Sequence, residues 1–95
     1  MRVYFSPIFV FTEGFENITY SFENRIVTAT YKGKKETFDF RGLPDGIVQE
    51  IEAEILEFNP ITHSEIVDGI LYLEVMNFIR ENATEFEKFP NWIEV

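Results

Sequence analysis

ITHSEIVDGILYLEVMNFI, residues 61–79, is the stretch that decides the fold of this chain. In it, two runs of alternating apolar and polar side chains, 61–67 and 70–79, flank Asp68 and Gly69. Asp-Gly between such runs is typical of a two-residue β-hairpin turn, because both turn positions need a positive φ. The pairs predicted across this hairpin are Val67 with Ile70, Ile66 with Leu71, Glu65 with Tyr72, Ser64 with Leu73 and His63 with Glu74.

The residues before this hairpin also alternate with a period of two, which predicts further strands. Residues 2–11 predict a strand, and Pro7 within it indicates an edge strand or a bulge, because proline cannot donate a ladder hydrogen bond. After a loop at 13–17, strands are predicted at 18–22, 26–31 and 37–40, with tight turns at 23–25 and 32–34. If Gly33 and Lys34 form a two-residue loop, Val27 faces Phe40 and Ala29 faces Phe38.

Residues 47–56 follow the breaker Arg41–Gly46 and are ambiguous between strand and helix. Four aliphatic residues are spaced as on one face of a helix, whereas Glu50, Glu52 and Glu54 alternate with apolar residues as on one side of a strand. We favour a strand, because a helix would scatter the three carboxylates around its surface. The helix stays open as the alternative.

The end of the chain predicts a short helix followed by a docked tail. Asn82 or Thr84 can cap a helix at 84–88, and Pro90 ends it. The residues after it, Trp92, Ile93 and Val95, are expected to pack against the sheet, because a Trp side chain is costly to leave in water.

Composition and periodicity together predict the fold class. The chain has 95 residues, of which 45% are hydrophobic and 17% aromatic, and this is too apolar for a disordered segment. We expect a single domain, 1–95, that is mainly β, with α+β as an alternative. Its sheets are antiparallel and rich in hairpins, with a short C-terminal helix.

Charge is distributed unevenly along the chain. Residues 1–41 contain six Lys and Arg against five Asp and Glu, whereas residues 42–95 contain two against twelve. A near-neutral half beside an acidic half indicates two faces with different partners. Direct binding of nucleic acid is not expected, because the basic residues form only one small cluster at 32–35.

Side chains that usually carry catalysis are sparse. Cysteine is absent, which excludes disulfides and thiolate metal sites. The only histidine, His63, is predicted to lie opposite Glu74, and a cross-strand charge pair explains its presence without catalysis. We therefore expect no enzyme, no catalytic residue, no cofactor and no metal site. The acidic residues weighed as calcium ligands lack the spacing of a calcium loop; they are Asp39, Asp45, Glu50, Glu52 and Glu54.

The sequence also predicts where the chain is made. No apolar run approaches the roughly 20 residues of a membrane helix. The first residues lack the basic and apolar regions of a signal peptide. We expect synthesis in the cytoplasm and no membrane partner.

Aromatic residues make contact with another protein a serious alternative to simple burial. The first strand has large apolar side chains on both of its faces, which is typical of burial in a core or at a subunit interface. Small domains often gain stability by association. The residues predicted to contact a protein partner or a second copy are Tyr4, Phe5, Phe9 and Trp92.

Five segments carry a resemblance to a known group of proteins. They are FDFRGLPDG (38–46), NPI (59–61), DGILYLEVMNFI (68–79), NATE (82–85) and FPNW (89–92). In these segments the chain resembles small uncharacterised proteins of phages and prophages of Gram-positive bacteria, which tend to be encoded near tail and baseplate genes. The resemblance covers most of residues 38–92, and it transfers no functional residue. It implies a role in the virion or in tail assembly, with synthesis in the host cytoplasm.

Two functions of different classes follow from these observations. The first is a non-enzymatic structural or assembly protein, a tail or baseplate accessory, that acts through protein–protein contacts. In it, the aromatic strand supplies contact area and the acidic half supplies orientation and solubility. The alternative is an acidic inhibitor or decoy of a host nucleic-acid-binding protein, which needs carboxylates spread along an extended surface.

Overall fold

The computed structural model describes residues 1–12, 14–48 and 52–95. In this part of the chain strands predominate and one short helix lies near the C-terminus, so the prediction of a mainly β fold with antiparallel hairpins is confirmed. The strands and the helix are β1 (Arg2–Phe9), β2 (Thr19–Glu23), β3 (Ile26–Tyr31), β4 (Lys34–Asp39), β5 (Gly46–Ile47), β6 (Ile61–Val67), β7 (Ile70–Ile79), α1 (Glu85–Lys88) and β8 (Ile93–Glu94).

The strands form two sheets. The larger sheet has the order β5-β6-β7-β1-β8 and the smaller one the order β2-β3-β4. All neighbours are antiparallel except β1 and β7, which pair in parallel from Arg2 opposite Tyr72 to Phe9 opposite Ile79. The first strand of the chain therefore lies inside the larger sheet, between β7 and β8, and the other strands of this sheet all come from residues 46–94.

The hairpin of β6 and β7 has the predicted turn and register. Asp68 and Gly69 occupy the turn with φ of 49° and 77°. All five predicted pairs are present, from Val67 opposite Ile70 to His63 opposite Glu74. A bulge shifts the register between His63 and Ile61.

Pro7 lies on the part of β1 that has β7 on one side and no other described strand on the other side. The Val10 N–H donates to the Ile79 carbonyl, and backbone groups two residues apart point the same way, so the nitrogen of Pro7 faces away from β7. On that side β8 pairs only with Arg2 and Val3. The prediction of an edge strand or a bulge is therefore wrong for the strand as a whole, because β1 lies between β7 and β8 and pairs with β7 without a shift of register. Proline is tolerated because β8 does not extend as far as Pro7.

The predicted register of β3 and β4 is wrong by two residues. Val27 lies opposite Phe38 rather than Phe40, and Ala29 lies opposite Glu36 rather than Phe38. The turn consists of Lys32 and Gly33, with φ of 50° and 77°, rather than of Gly33 and Lys34. Such a turn needs positive φ at both positions, and glycine takes the second. A shift of two residues keeps both Phe side chains on the same face, and both are buried.

The prediction of a strand at 47–56 is wrong for the residues described. Strand β5 ends at Ile47, and residues 54–58 form bends rather than a strand or helix. Residues 49–51, which include Glu50, lie outside the described residues, as does Glu13 of the predicted loop at 13–17. The reason for the bends is that the Glu36 carboxylate accepts hydrogen bonds from both Ile55 and Leu56 N–H groups, which places the Leu56 side chain in the core.

The core contains side chains from both sheets and from the segments between them. Phe5 on β1 contacts Tyr20 and Phe22 on β2, with ring centroids 6.0 and 6.3 Å apart. Asn17 adds a polar link, because its side chain accepts a hydrogen bond from Phe78 N–H at 3.0 Å. The buried residues of this cluster are Val3, Ile18, Val27, Ala29, Phe38, Phe40, Leu56, Ile61, Ile66, Leu71, Leu73 and Val75.

The C-terminal helix and tail follow the prediction. Thr84 is the N-cap of α1, and its hydroxyl and the Glu87 carboxylate form a capping box. After the helix, Ile93 pairs with β1 and packs against the core, which confirms the docked tail. Within residues 1–12, 14–48 and 52–95, no helix combines the length and the apolar composition that crossing a membrane requires.

Candidate functional site

The larger sheet presents one face to the core and leaves the other to solvent. Residues in register across neighbouring strands share a face. One row, Ile47, Glu65, Tyr72, Arg2 and Glu94, crosses all five strands, and none of these side chains is buried. The next row contains His63, Glu74 and Tyr4, with Trp92 beyond it. We call these nine residues the outer face.

Three aromatic rings meet on the outer face. The ring centroid of Trp92 lies 5.6 Å from that of Tyr4, with the planes at 45°. It lies 5.6 Å from that of Tyr72 as well, with the planes at 75°. The Trp92 side chain is nevertheless 45% exposed. The Arg2 guanidinium lies 5.8 Å from the centroid of the Tyr72 ring, so a cation already rests on this cluster.

Carboxylates border the aromatic rings. Glu74 lies opposite Tyr4 on β1, Glu65 opposite Tyr72 on β7, and Glu94 opposite Arg2. Among the described residues, no Lys or Arg forms an ion pair with any of the three. The outer face therefore combines apolar ring surface with negative charge that the described chain leaves unbalanced.

His63 has the predicted strand partner but a different side-chain contact. It lies opposite Glu74 in the hairpin, whereas its Nε2 atom is 3.5 Å from Glu65 Oε1. Side chains two residues apart on one strand point to the same face, which allows this contact. The cross-strand interpretation of the histidine thus changes to a contact along β6.

The structure brings two of the four predicted contact residues together. Tyr4 and Trp92 are in contact on the outer face. Phe5 lies on the opposite side of β1 and packs against the core. Phe9 is 48% exposed at the end of β1, where its ring stacks on Phe11, which is 77% exposed.

Sequence reasoning missed the other members of the outer face. The hairpin register predicts a partner for Tyr72 and one for Glu74, but nothing local in the sequence places these two residues beside Arg2 and Tyr4. That neighbourhood comes from the parallel pairing of β1 with β7, which joins residues about seventy positions apart. The available signal is the pair of aromatic residues, Tyr4 and Tyr72, each of which shares its strand face with a charged residue two positions away, Arg2 and Glu74 respectively.

The acidic residues weighed as calcium ligands have other surroundings. Asp39 forms an ion pair with Arg41 at 2.8 Å, which lowers the pKa of its carboxyl to about 2. Asp45 accepts a hydrogen bond from Gly69 N–H at 3.0 Å, and Glu52 and Glu54 are exposed. Across the described parts of the chain, no three Asp, Glu, His or Cys side chains converge as metal ligands do.

A shallow depression lies where β1 and β7 end. Its volume is about 400 Å³. Beside it, the Arg80 guanidinium lies 4.6 Å from the centroid of the Phe15 ring. The described lining of the depression includes a guanidinium, a carboxylate and an amide but no histidine or serine. The lining residues are Val10, Phe11, Thr12, Arg80, Glu81 and Asn82.

Comparisons with known proteins add no relative to this picture. Neither models of protein families, nor curated protein sequences, nor solved structures give a significant match to the chain. The function is therefore inferred from the geometry of the outer face and from the residues that the chain itself supplies.

Proposed function

We propose that this chain is a non-enzymatic protein-binding domain, a tail or baseplate accessory or assembly factor of a phage, and that the outer face is its contact surface. The observation that carries the contact surface is the cluster of the exposed Trp92 with the half-buried Tyr4 and Tyr72, on a sheet face that the described chain leaves uncovered. The phage assignment is supported by the resemblance of residues 38–92.

The composition of the outer face fits protein recognition. Trp, Tyr and Arg are the residue types that most often dominate binding energy in protein interfaces, and they act from a desolvated centre surrounded by polar groups. Here Trp92 lies between two tyrosines, with Arg2 beside them and carboxylates around them. A partner that covers Trp92 removes its exposed ring from water, which favours association.

The rigidity of the surface also supports binding. Every member of the outer face except Trp92 lies on a hydrogen-bonded strand, and Trp92 directly precedes β8. A backbone that is already held in a sheet needs no further ordering on binding, so less of the interaction free energy is lost to ordering the main chain. The acidic second half of the chain keeps the free protein soluble until it assembles. Synthesis in the host cytoplasm, followed by association with the virion, fits this role.

Binding to tail proteins tests the proposal. Each tail or baseplate protein encoded beside the gene for this chain is purified and titrated with the wild-type chain, with Trp92→Ala and with Phe11→Ala. We expect one such protein to bind, and Trp92→Ala to weaken binding by about 2 kcal/mol or more.

Phe11→Ala is the matched control, because it removes an aromatic ring that is more exposed than Trp92 and lies off the outer face. It is expected to bind as the wild type does. Loss of binding in Phe11→Ala with retention in Trp92→Ala would place the contact at the Phe9–Phe11 pair and contradict the proposed surface. Failure of every neighbouring tail protein to bind would contradict the phage role. Thermal melting of both variants confirms that each remains folded.

A further inference from the structure

We infer that the partner of the outer face is a basic protein that places arginine side chains against the aromatic rings beside Glu74. This inference rests on the proposed function and adds the chemistry of the partner to it. It follows from three observations. The first is the position of cations over aromatic rings in the chain itself, the second is the absence of a Lys or Arg partner for Glu74 among the described residues, and the third is the net negative charge of the chain.

The chain itself shows how a cation is accommodated on its aromatic surface. Arg2 lies over the Tyr72 ring on the outer face at 5.8 Å, Lys32 over the Tyr31 ring at 5.4 Å, and Arg80 over the Phe15 ring at 4.6 Å. On the outer face, the ring of Tyr72 already has a cation over it, whereas no Lys or Arg among the described residues lies over the rings of Trp92 and Tyr4. Trp is the aromatic residue that attracts cations most strongly.

Glu74 supplies the charge that a second guanidinium needs. It lies opposite Tyr4 and two residues from Tyr72 on the same face of β7, so it borders both rings. Among the described residues it forms no ion pair. A guanidinium can stack its plane on a ring while donating two hydrogen bonds to one carboxylate, and the ammonium group of lysine cannot do both.

The overall charge favours a basic partner over a second copy of this chain. The net charge is −9, and the outer face carries three carboxylates against one arginine, with His63 apart. Two copies that met through this face would bring like charges together, which opposes association. A basic partner neutralises them and is attracted from a distance.

Short peptides give a direct test of the side-chain preference. A Gly-Ser peptide with regularly spaced arginines is compared with peptides in which lysine or glutamine replaces each arginine. Trp92 is the only tryptophan of the chain, so its fluorescence reports binding at the outer face without a label. We expect the arginine peptide to bind about threefold or more tightly than the lysine peptide, and the glutamine peptide to leave the fluorescence unchanged.

Two charge variants distinguish a specific contact from general attraction. Glu74→Gln is expected to lower the affinity for the arginine peptide by about threefold to tenfold. Glu54→Gln makes the same change of charge at an exposed position in the bends of 54–58 and is expected to change binding by less than about twofold. Equal effects of the two variants, or equal binding of arginine and lysine peptides, would overturn the inference.

The same variants separate this inference from the proposed function. If a tail protein binds, requires Trp92 and is insensitive to replacing its own arginines by lysine, the proposed function stands and the inference fails. If the arginine peptide binds as expected but no tail protein does, the chemistry stands and the phage role fails. If sedimentation shows a dimer that Trp92→Ala converts to a monomer, the occupant is a second copy and the inference is overturned.

Discussion

The carboxylate of Glu36 on β4 accepts a hydrogen bond of 2.6 Å from the backbone N–H of Ile55. It accepts a second one of 3.3 Å from the next residue, Leu56. Glu36 is only 7% exposed, so these bonds form in a largely desolvated environment. They fix the bends that insert Leu56 into the core, and they explain why a segment with strand-like alternation does not form a strand there.

Replacing Glu36 tests this anchor. Glu36→Ala removes both acceptor bonds and leaves two N–H groups without their partner, so we expect a loss of about 1.5–3 kcal/mol in the free energy of unfolding. Glu36→Gln keeps an acceptor oxygen and is expected to lose less. Urea denaturation of both variants measures the difference. A loss in Glu36→Gln as large as that in Glu36→Ala would show that the carbonyl-type acceptor is not the stabilising feature.

At the end of β7, the Asn17 side chain supplies a hydrogen-bond acceptor that a neighbouring strand would otherwise supply. Its Oδ1 atom accepts hydrogen bonds from Phe78 N–H and Ile18 N–H at 3.0 and 2.9 Å. Asn17→Ala is expected to cost about 1 kcal/mol of stability and to accelerate amide hydrogen exchange at Phe78. Asn91→Ala, at another exposed asparagine, serves as the control and should change neither quantity. Unchanged exchange at Phe78 in Asn17→Ala would contradict the role assigned to this side chain.

The features that sequence reasoning predicted correctly are those with local causes. The hairpin depends on Asp68 and Gly69, which adopt positive φ, and the helix depends on the cap at Thr84. The parallel pairing of β1 with β7 has no local cause, because it is set by burial on a sheet that distant segments complete. For that reason Tyr4 could be named as a contact residue while its neighbour Tyr72 could not.

The error at 47–56 has the same origin. Alternation of Glu52 and Glu54 with apolar residues is a true pattern, but hydrogen bonds to a side chain nineteen residues earlier fix the backbone of Ile55 instead. The buried carboxylate of Glu36 and the N–H group of Ile55 are far apart in the chain, so a short window of sequence does not contain both hydrogen-bond partners. Predicting this bend requires knowing that β4 passes beside it.

Asp39 provides a prediction of pH dependence. Hydrogen bonds from Arg41 to its carboxylate, at 3.0 and 2.8 Å, hold the pKa of Asp39 at about 2, below its ordinary value of 3.8. The folded state therefore gains stability from this group above the ordinary value and loses it as the pH falls toward 2. A carboxyl NMR titration of Asp39 is expected to show a midpoint near 2 in the wild type.

Arg41→Gln supplies the comparison for that titration. Without the guanidinium, the midpoint of Asp39 should move up toward 3.8. The effect on stability is expected to be small, because the pair is exposed to solvent and screened by salt. A midpoint that stays near 2 in the variant would assign the lowered pKa to another cause.

Tyr20 is expected to affect the pH dependence of stability in the opposite direction to Asp39, and at high pH. Its hydroxyl donates a hydrogen bond to the Met76 carbonyl at 2.5 Å, and burial raises the pKa of the Tyr20 phenol well above its ordinary value of 10.0. Above pH 10 the unfolded chain loses this proton while the folded chain keeps it, so the stability that Tyr20 contributes falls as the pH rises. Tyr20→Phe lacks the hydroxyl and should be about 1 kcal/mol less stable than the wild type at pH near 8. Urea denaturation at rising pH is expected to show this difference in stability narrowing, because above pH 10 ionisation of Tyr20 stabilises the unfolded wild type and has no counterpart at position 20 of the variant. A difference that stays constant through the alkaline range would show that the fold does not hold the phenol in its protonated form.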